Sequence, residues 1–233
     1  MKFSKQSSTN IYPKIKLDGI LLKWSSHAKH LGITLASDLS ETKEIMNKKG
    51  DFIGRVNTIM ANVPCAPDDI ILPLFRSQCC HHYGCQAWDL SDSKTKDYYT
   101  TWNRAVRRLL NLPIQTHRRY LPRLAKMPNA ESQVFSRFVK QIKTMCGNRN
   151  KLVCYVGYMG TRNADTIIGR SLHHICETTR TPMKTVFQCR DFTRYELCCS
   201  IDDLCVIKAI TDLRDNLVKD FNNMQLIHFL CTS

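Results

Sequence analysis

The sequence predicts a mainly α protein, a helical bundle preceded by a small N-terminal antiparallel β-hairpin or sheet. Three observations carry this. Apolar residues recur at helical spacing through most of the chain after residue 40. A strong helix pattern spans the region between Ser91 and Pro113. An Asp18-Gly19 pair sits between two short apolar runs near the N-terminus, and both central residues of a tight hairpin turn need positive φ.

Taken in order, residues 11 to 35 read as β. Ile15 and Leu17 alternate with Lys14 and Lys16, Asp18-Gly19 turns the chain, and Ile20 to Trp24 returns. Lys29 to Leu35 reads as a third short strand, in which Gly32 by itself suggests a bulge in an ordinary small sheet. Ser40 to Met60 is a helix with Ile45, Phe52, Val56 and Ile59 on one face. Gly50 and Gly54 weaken it, each by about 1 kcal/mol relative to Ala. Lys48, Lys49 and Arg55 give it a basic side. After a loop from Asn62 to Pro67, a second helix is expected from Asp69 to Tyr83. It would bury Ile71, Leu74, Phe75, Gln78 and His82, its regular part beginning near Pro73.

The third helix starts at a cap from Ser91 or Ser93 and is stopped by Pro113. At roughly 100° per residue, Tyr98, Tyr99, Trp102, Ala105, Val106, Leu109 and Leu110 share an arc of about 140°. Lys96, Arg104, Arg107 and Arg108 share the other side, within about 120°. A further helix runs from Gln133 to Met145, with Val134, Phe135, Phe138, Ile142 and Met145 inward and Arg137, Lys140 and Lys143 outward. Leu152 to Tyr158 reads as helix or strand, and Gly157, Gly160 and Gly169 are expected to break the pattern. Ser200 resembles a helix cap, followed by an apolar stripe of Ile207, Ile210, Leu213, Leu217 and Phe221.

The chain has 233 residues, a net charge of +14 and 43% hydrophobic residues, enough for one domain or two small ones. Between Lys94 and Lys126 stand nine Lys and Arg and one acid, Asp97. The basic run passes Pro113 through His117, Arg118, Arg119 and Arg123. Such a concentration suits phosphates, to which Arg offers a bidentate fork and Lys a point charge; the bland alternative is a solvated helix face. From residue 190 onward seven acids face five bases, so the tail differs in charge from the middle. No apolar run is long enough to span a membrane, and Met1 to Ser8 lacks the apolar core of a signal peptide. The expectation is an intracellular protein of nucleus or cytoplasm, not secreted, with its 12 cysteines mostly free thiols.

Three segments carry a resemblance. Tyr83-Gly84-Cys85-Gln86-Ala87-Trp88-Asp89-Leu90, Trp102-Asn103-Arg104-Ala105-Val106-Arg107-Arg108 and Leu112-Pro113-Ile114-Gln115-Thr116-His117-Arg118 resemble, in order and spacing, the segment after the catalytic palm of non-LTR (LINE-type) retrotransposon reverse transcriptases. The similarity runs from about residue 1 to about residue 175; Asn163, Gly169 and Ile175 fit its later part weakly. The resemblance implies the end of the palm and a primer-grip-like β-hairpin in residues 1-38, a helical thumb-like domain in 39-126 and a helical C-terminal extension in 127-233. It implies that His30, Leu31 and Gly32 belong to the hairpin gripping the primer end. Lys96, Arg104, Arg107, Arg108, His117, Arg118 and Arg119 would then contact an RNA/DNA template-primer duplex through its phosphates.

A polymerase also needs clustered carboxylates to hold two divalent ions. Asp68-Asp69 follows Ala66-Pro67 at a helix start, and Asp202-Asp203 follows Ser200-Ile201 with no aromatic two places earlier. Neither pair fits the family's catalytic hairpin, so the expectation is no catalytic residue and no cofactor in this chain, with Mg²⁺ belonging to the absent palm. The cluster Cys79, Cys80, His81, His82 and Cys85 invites a zinc reading, but its spacing is poor and buried thiols are the expectation. The rival readings are a non-catalytic nucleic-acid-binding protein derived from such an element, and an inert remnant. Oligomeric state is not legible in the sequence.

Overall fold

The structure, a computed structural model, describes residues 14–21, 25–64, 66–183 and 186. The expectations for residues 1–13, for Leu22 to Trp24 and for the segment from Ser200 to Phe221 lie outside them. The described fold is mainly α, as the sequence predicts.

Two separate antiparallel strand pairs precede the helices. Strands β1 (Lys16–Leu17) and β2 (Ile20–Leu21) flank Asp18 and Gly19, whose φ angles of 48° and 80° make the expected turn. The third strand expected over Lys29 to Leu35 is instead a second hairpin. Strand β3 (His27–His30) pairs with β4 (Ile33–Ala36), and Leu31 and Gly32 form the turn at φ 47° and 77°. Alternation across Lys29 to Leu35 hid this turn, because a branched residue at positive φ is uncommon.

Helix α1 (Thr42–Asn62) buries Ile45, Phe52, Val56 and Ile59, the face predicted. Helix α2 (Asp68–Cys79) starts before Pro73 and ends four residues short of Tyr83. Its first turn is held by Ile70 and Ile71 N–H groups donating to the Pro67 carbonyl, at 3.0 Å each. It buries Leu72 and Cys79 with Ile71 and Phe75, while Gln78 is exposed and His82 lies beyond the helix. Gly84, at φ 87°, then turns the chain into a short 3-10 segment, Cys85–Ala87.

Helix α3 (Ser93–Leu109) is capped by Asp92 rather than by Ser91 or Ser93; its carboxylate accepts from Lys94 N–H at 2.6 Å. Ser91 is occupied otherwise, its hydroxyl donating to Asp89 Oδ1 at 2.6 Å. All seven residues predicted for the apolar face are buried. The helix closes on Asn111 at φ 48°, with Asn111 and Leu112 N–H groups donating to the Arg108 and Arg107 carbonyls. This paired termination satisfies two orphan carbonyls, so the stop comes before Pro113 acts. A 3-10 turn, Arg118–Tyr120, leads into the short helix α4 (Leu121–Leu124).

Helix α5 (Ala130–Cys146) has Asn129 as its cap and buries Val134, Phe135, Phe138 and Ile142. Leu152 to Tyr158 is helical, within α6 (Lys151–Arg162). Helix α7 (Ile167–Thr179) follows. The glycines expected to break the pattern lie inside these helices, at close approaches. A Cβ on Gly157 would stand 3.0 Å from Met145 Cβ, one on Gly160 2.6 Å from Ile168 Cδ1, and one on Gly169 2.1 Å from the Asn163 carbonyl oxygen.

The core is one continuous cluster from Ile45 to Val186, running across residue 126. Its centre is aromatic. Phe52, Phe75, Trp102, Tyr98 and Trp88 form a chain of tilted and edge-on rings with centroid separations of 5.1 to 6.1 Å. These rings join α1, α2, α3 and the turn before α3. That turn is fastened to α7. Leu90 N–H donates to Ser171 Oγ at 3.0 Å, and the Arg170 guanidinium donates twice to Asp89 Oδ2, at 2.9 and 2.6 Å. Burial pushes the Asp89 carboxyl up, but hydrogen bonds from Ser91 and Arg170 outweigh it and hold the carboxyl below its usual value.

Trp102 is fully buried, so Trp102→Ala is expected to destabilise by about 3–5 kcal/mol in chemical denaturation. The glycines separate in the same assay. Gly169→Ala should cost about 1–3 kcal/mol through overpacking. Gly54→Ala, facing open space, should stabilise α1 by about 1 kcal/mol.

Candidate nucleic-acid interface

Burial of one face of α3 leaves its other face outward, and this positions the basic residues. Lys96, Arg104 and Arg108 are exposed, as are His117, Arg118 and Arg119 beyond the turn. The single acid in this stretch, Asp97, accepts from Lys49 Nζ of α1 at 2.5 Å, so its charge is answered from a neighbouring helix.

The structure gives the predicted residues different roles. The Arg107 guanidinium is half-buried and donates from Nε and Nη2 to the Thr116 carbonyl, at 3.0 and 2.8 Å. It ties the end of α3 to the turn beyond Pro113. Burial, and then the neighbouring Arg104, lower its pKa. Arg108 Nη1 reaches Asn57 Oδ1 of α1 at 3.4 Å, a long contact that leaves the head exposed. His117 Nδ1 accepts from Arg119 N–H at 3.3 Å and caps the 3-10 turn. The Arg119 guanidinium lies over the Tyr120 ring, 4.8 Å from its centroid, and donates to the Tyr120 hydroxyl at 2.6 Å. The basic side predicted for α1 is engaged too. Besides the Lys49 pair, Arg55 donates to the Gln78 carbonyl at 2.8 Å, and Lys48 lies 3.5 Å from Glu44.

His30, Leu31 and Gly32 come together at the tip of the β3–β4 hairpin. Tyr83 Oη donates to the Leu31 carbonyl at 3.0 Å and Lys48 Nζ to that of Gly32 at 3.3 Å. The buried Glu44 carboxylate accepts from Thr34 N–H at 2.7 Å. Gly84 lets Ile33 pack close; a Cβ there would stand 3.2 Å from Ile33 Cγ1. The hairpin is thus clamped to α1 and to the segment before α3, with Leu31 projecting into solvent.

Cys79, Cys80, His82 and Cys85 are buried among apolar and aromatic side chains. Burial pushes the thiols up to about 12, 11 and 12, respectively. Among the described residues no group of three or more His, Cys, Asp or Glu is placed to hold a metal. Nor, among them, is any helix long and apolar enough to cross a membrane.

Two concavities open on the surface, one of them beside the basic face. A cavity of about 290 Å³ is lined by Lys96, Tyr99, Arg118, Glu131 and His174, with Asn103 and Thr178 at its sides. A larger, apolar groove of about 840 Å³ lies between α5, α6 and α7 and the hairpin side of the molecule. Glu131 and His174 escaped sequence reasoning because they stand on helices remote in sequence from Lys96. Tyr99 read only as core. No family model, curated protein or solved structure matches the chain.

Burial lowers the His82 pKa to about 4, with Arg137 adding to the effect, against about 6.5 in the unfolded chain. The unfolded state therefore binds the extra proton first as pH falls. Stability is expected to drop by on the order of 3 kcal/mol between pH 6.5 and 4. Urea midpoints measured across that range check this, and His82→Gln should remove that part of the slope.

Proposed function

We propose that this chain grips the backbone of an RNA/DNA template-primer duplex, as the thumb and C-terminal region of a non-LTR retrotransposon reverse transcriptase. Polymerase chemistry and its Mg²⁺ would belong to the palm of such an enzyme. The observation that carries the reading is the division of α3. One side is fully committed to the core, and the opposite side presents Lys96, Arg104 and Arg108, with Arg118 exposed beyond the turn. A backbone-gripping surface needs charge fixed on a rigid element and no preference among bases. The helix supplies the rigidity through its buried aromatics. The clamped β3–β4 hairpin supports the same reading, since a turn that approaches a strand end closely must be held in place by the body behind it. Its clamp uses Tyr83 and Gly84, the first two residues of the motif on which the resemblance rests.

Binding should be independent of sequence and should weaken steeply with salt, because each neutralised phosphate releases counterions. Fluorescence anisotropy at several salt concentrations tests this. Arg104→Gln with Arg108→Gln should lower affinity equally on all sequences and flatten the salt slope by roughly two units. Equal slopes for wild type and the double variant would leave the arginines as a solvated face. Arg107→Gln should instead lower the melting temperature, because it frees the Thr116 carbonyl.

A further inference from the structure

The small cavity beside the basic face has a built interior that a flat backbone contact does not require. Ala130 and Glu131 occupy the first two positions of α5, whose N–H groups have no carbonyl within the helix to bond. The third position is capped, Ser132 N–H donating to Asn129 Oδ1 at 2.8 Å. The helix end carries roughly half a positive charge toward the cavity. Tyr99 is 7% exposed, and its hydroxyl is buried with no hydrogen-bond partner among the described residues. His174 Nε2 is in the same position, its ring set nearly perpendicular to Phe135 at 6.0 Å. Lys96 and Arg118 complete the lining, and among the described residues neither forms an ion pair.

Two cations and two free N–H groups thus converge on one small space, with the unpartnered Tyr99 hydroxyl buried in its wall. Their common complement is an anion with several acceptor oxygens. We propose that this cavity binds one phosphate group, held by Lys96 and Arg118, by the N-terminus of α5 and by the Tyr99 hydroxyl. For a strand phosphate the proposal rests on the duplex-backbone reading; for free phosphate it stands apart from it. Glu131 is the one acid in the lining and leaves the site a net single positive charge. It limits affinity rather than supplying it.

The test is calorimetric titration of the full chain with inorganic phosphate at constant ionic strength. One saturable site is expected. Lys96→Gln and Arg118→Gln should each weaken it about tenfold or more, since hydrogen bonds to charged groups are the strong ones. Glu131→Gln should tighten it several-fold. Tyr99→Phe should weaken it while leaving the melting temperature unchanged or higher, because the hydroxyl it removes has no protein partner. That combination separates a ligand from a structural role. Titration with a blunt duplex already bound distinguishes the sources: competition marks a strand phosphate, and independent binding marks free phosphate. Absence of a saturable site overturns the proposal. So does a site weakened by Arg118→Gln but indifferent to Tyr99→Phe and Glu131→Gln, which would put the anion on the outer surface. Arg104→Gln with Arg108→Gln lies outside the cavity and should leave phosphate affinity unaltered, so failure of duplex binding and failure of this site are read separately.

Discussion

The aromatic chain through Phe52, Phe75, Trp102, Tyr98 and Trp88 is the constraint on which the other features depend. Each ring comes from a different part of the fold, apart from the two on α3, and their tilted and edge-on arrangement fixes relative rotation as well as distance. Once Trp102 and Tyr98 are committed inward, the rotation of α3 about its axis is set. The outward position of Arg104 and Arg108 is then a geometric result of the core and requires no contact of their own. The same rotation brings Lys96 and Tyr99 to the cavity in front of α5.

Much of this was legible because it is periodic. Every apolar position predicted for α3 is buried, and the face predicted for α1 is buried as well. Short-range turn chemistry was legible where a residue has one dominant use, as at Asp18-Gly19. It failed where a residue has two. The glycines at 157, 160 and 169 read as breakers because a helical glycine costs backbone entropy. Their actual role is to admit a neighbouring helix or loop, and that neighbour is invisible in a local window. Ser91 and Ser93 are good caps by type, but Asp92 between them won.

The candidate interface shows the same boundary. Charge concentration and the outward side of α3 could be read from the chain. The diversion of Arg107 to the Thr116 carbonyl could not, because it depends on how the segment after Pro113 folds back. The cavity lining was illegible for a related reason: Lys96, Arg118, Glu131 and His174 belong to four elements that packing alone brings together. Leu31 at positive φ is a further case. Intrinsic preference argues against it, and the bonds from Tyr83 and Lys48 to the hairpin tip override that preference.

The bonds between the turn before α3 and α7 bear on the order in which the molecule comes into being. Asp89 and Leu90 find Arg170 and Ser171 as partners, 81 residues later in the chain. A chain emerging from the ribosome makes α1, α2 and α3 well before α7 exists. Until residue 171 arrives, the Leu90 N–H and one Asp89 oxygen must be served by water, in a place that is largely buried in the finished protein. This turn is therefore closed only once α7 has been made, and α1, α2 and α3 hold an open seam until then.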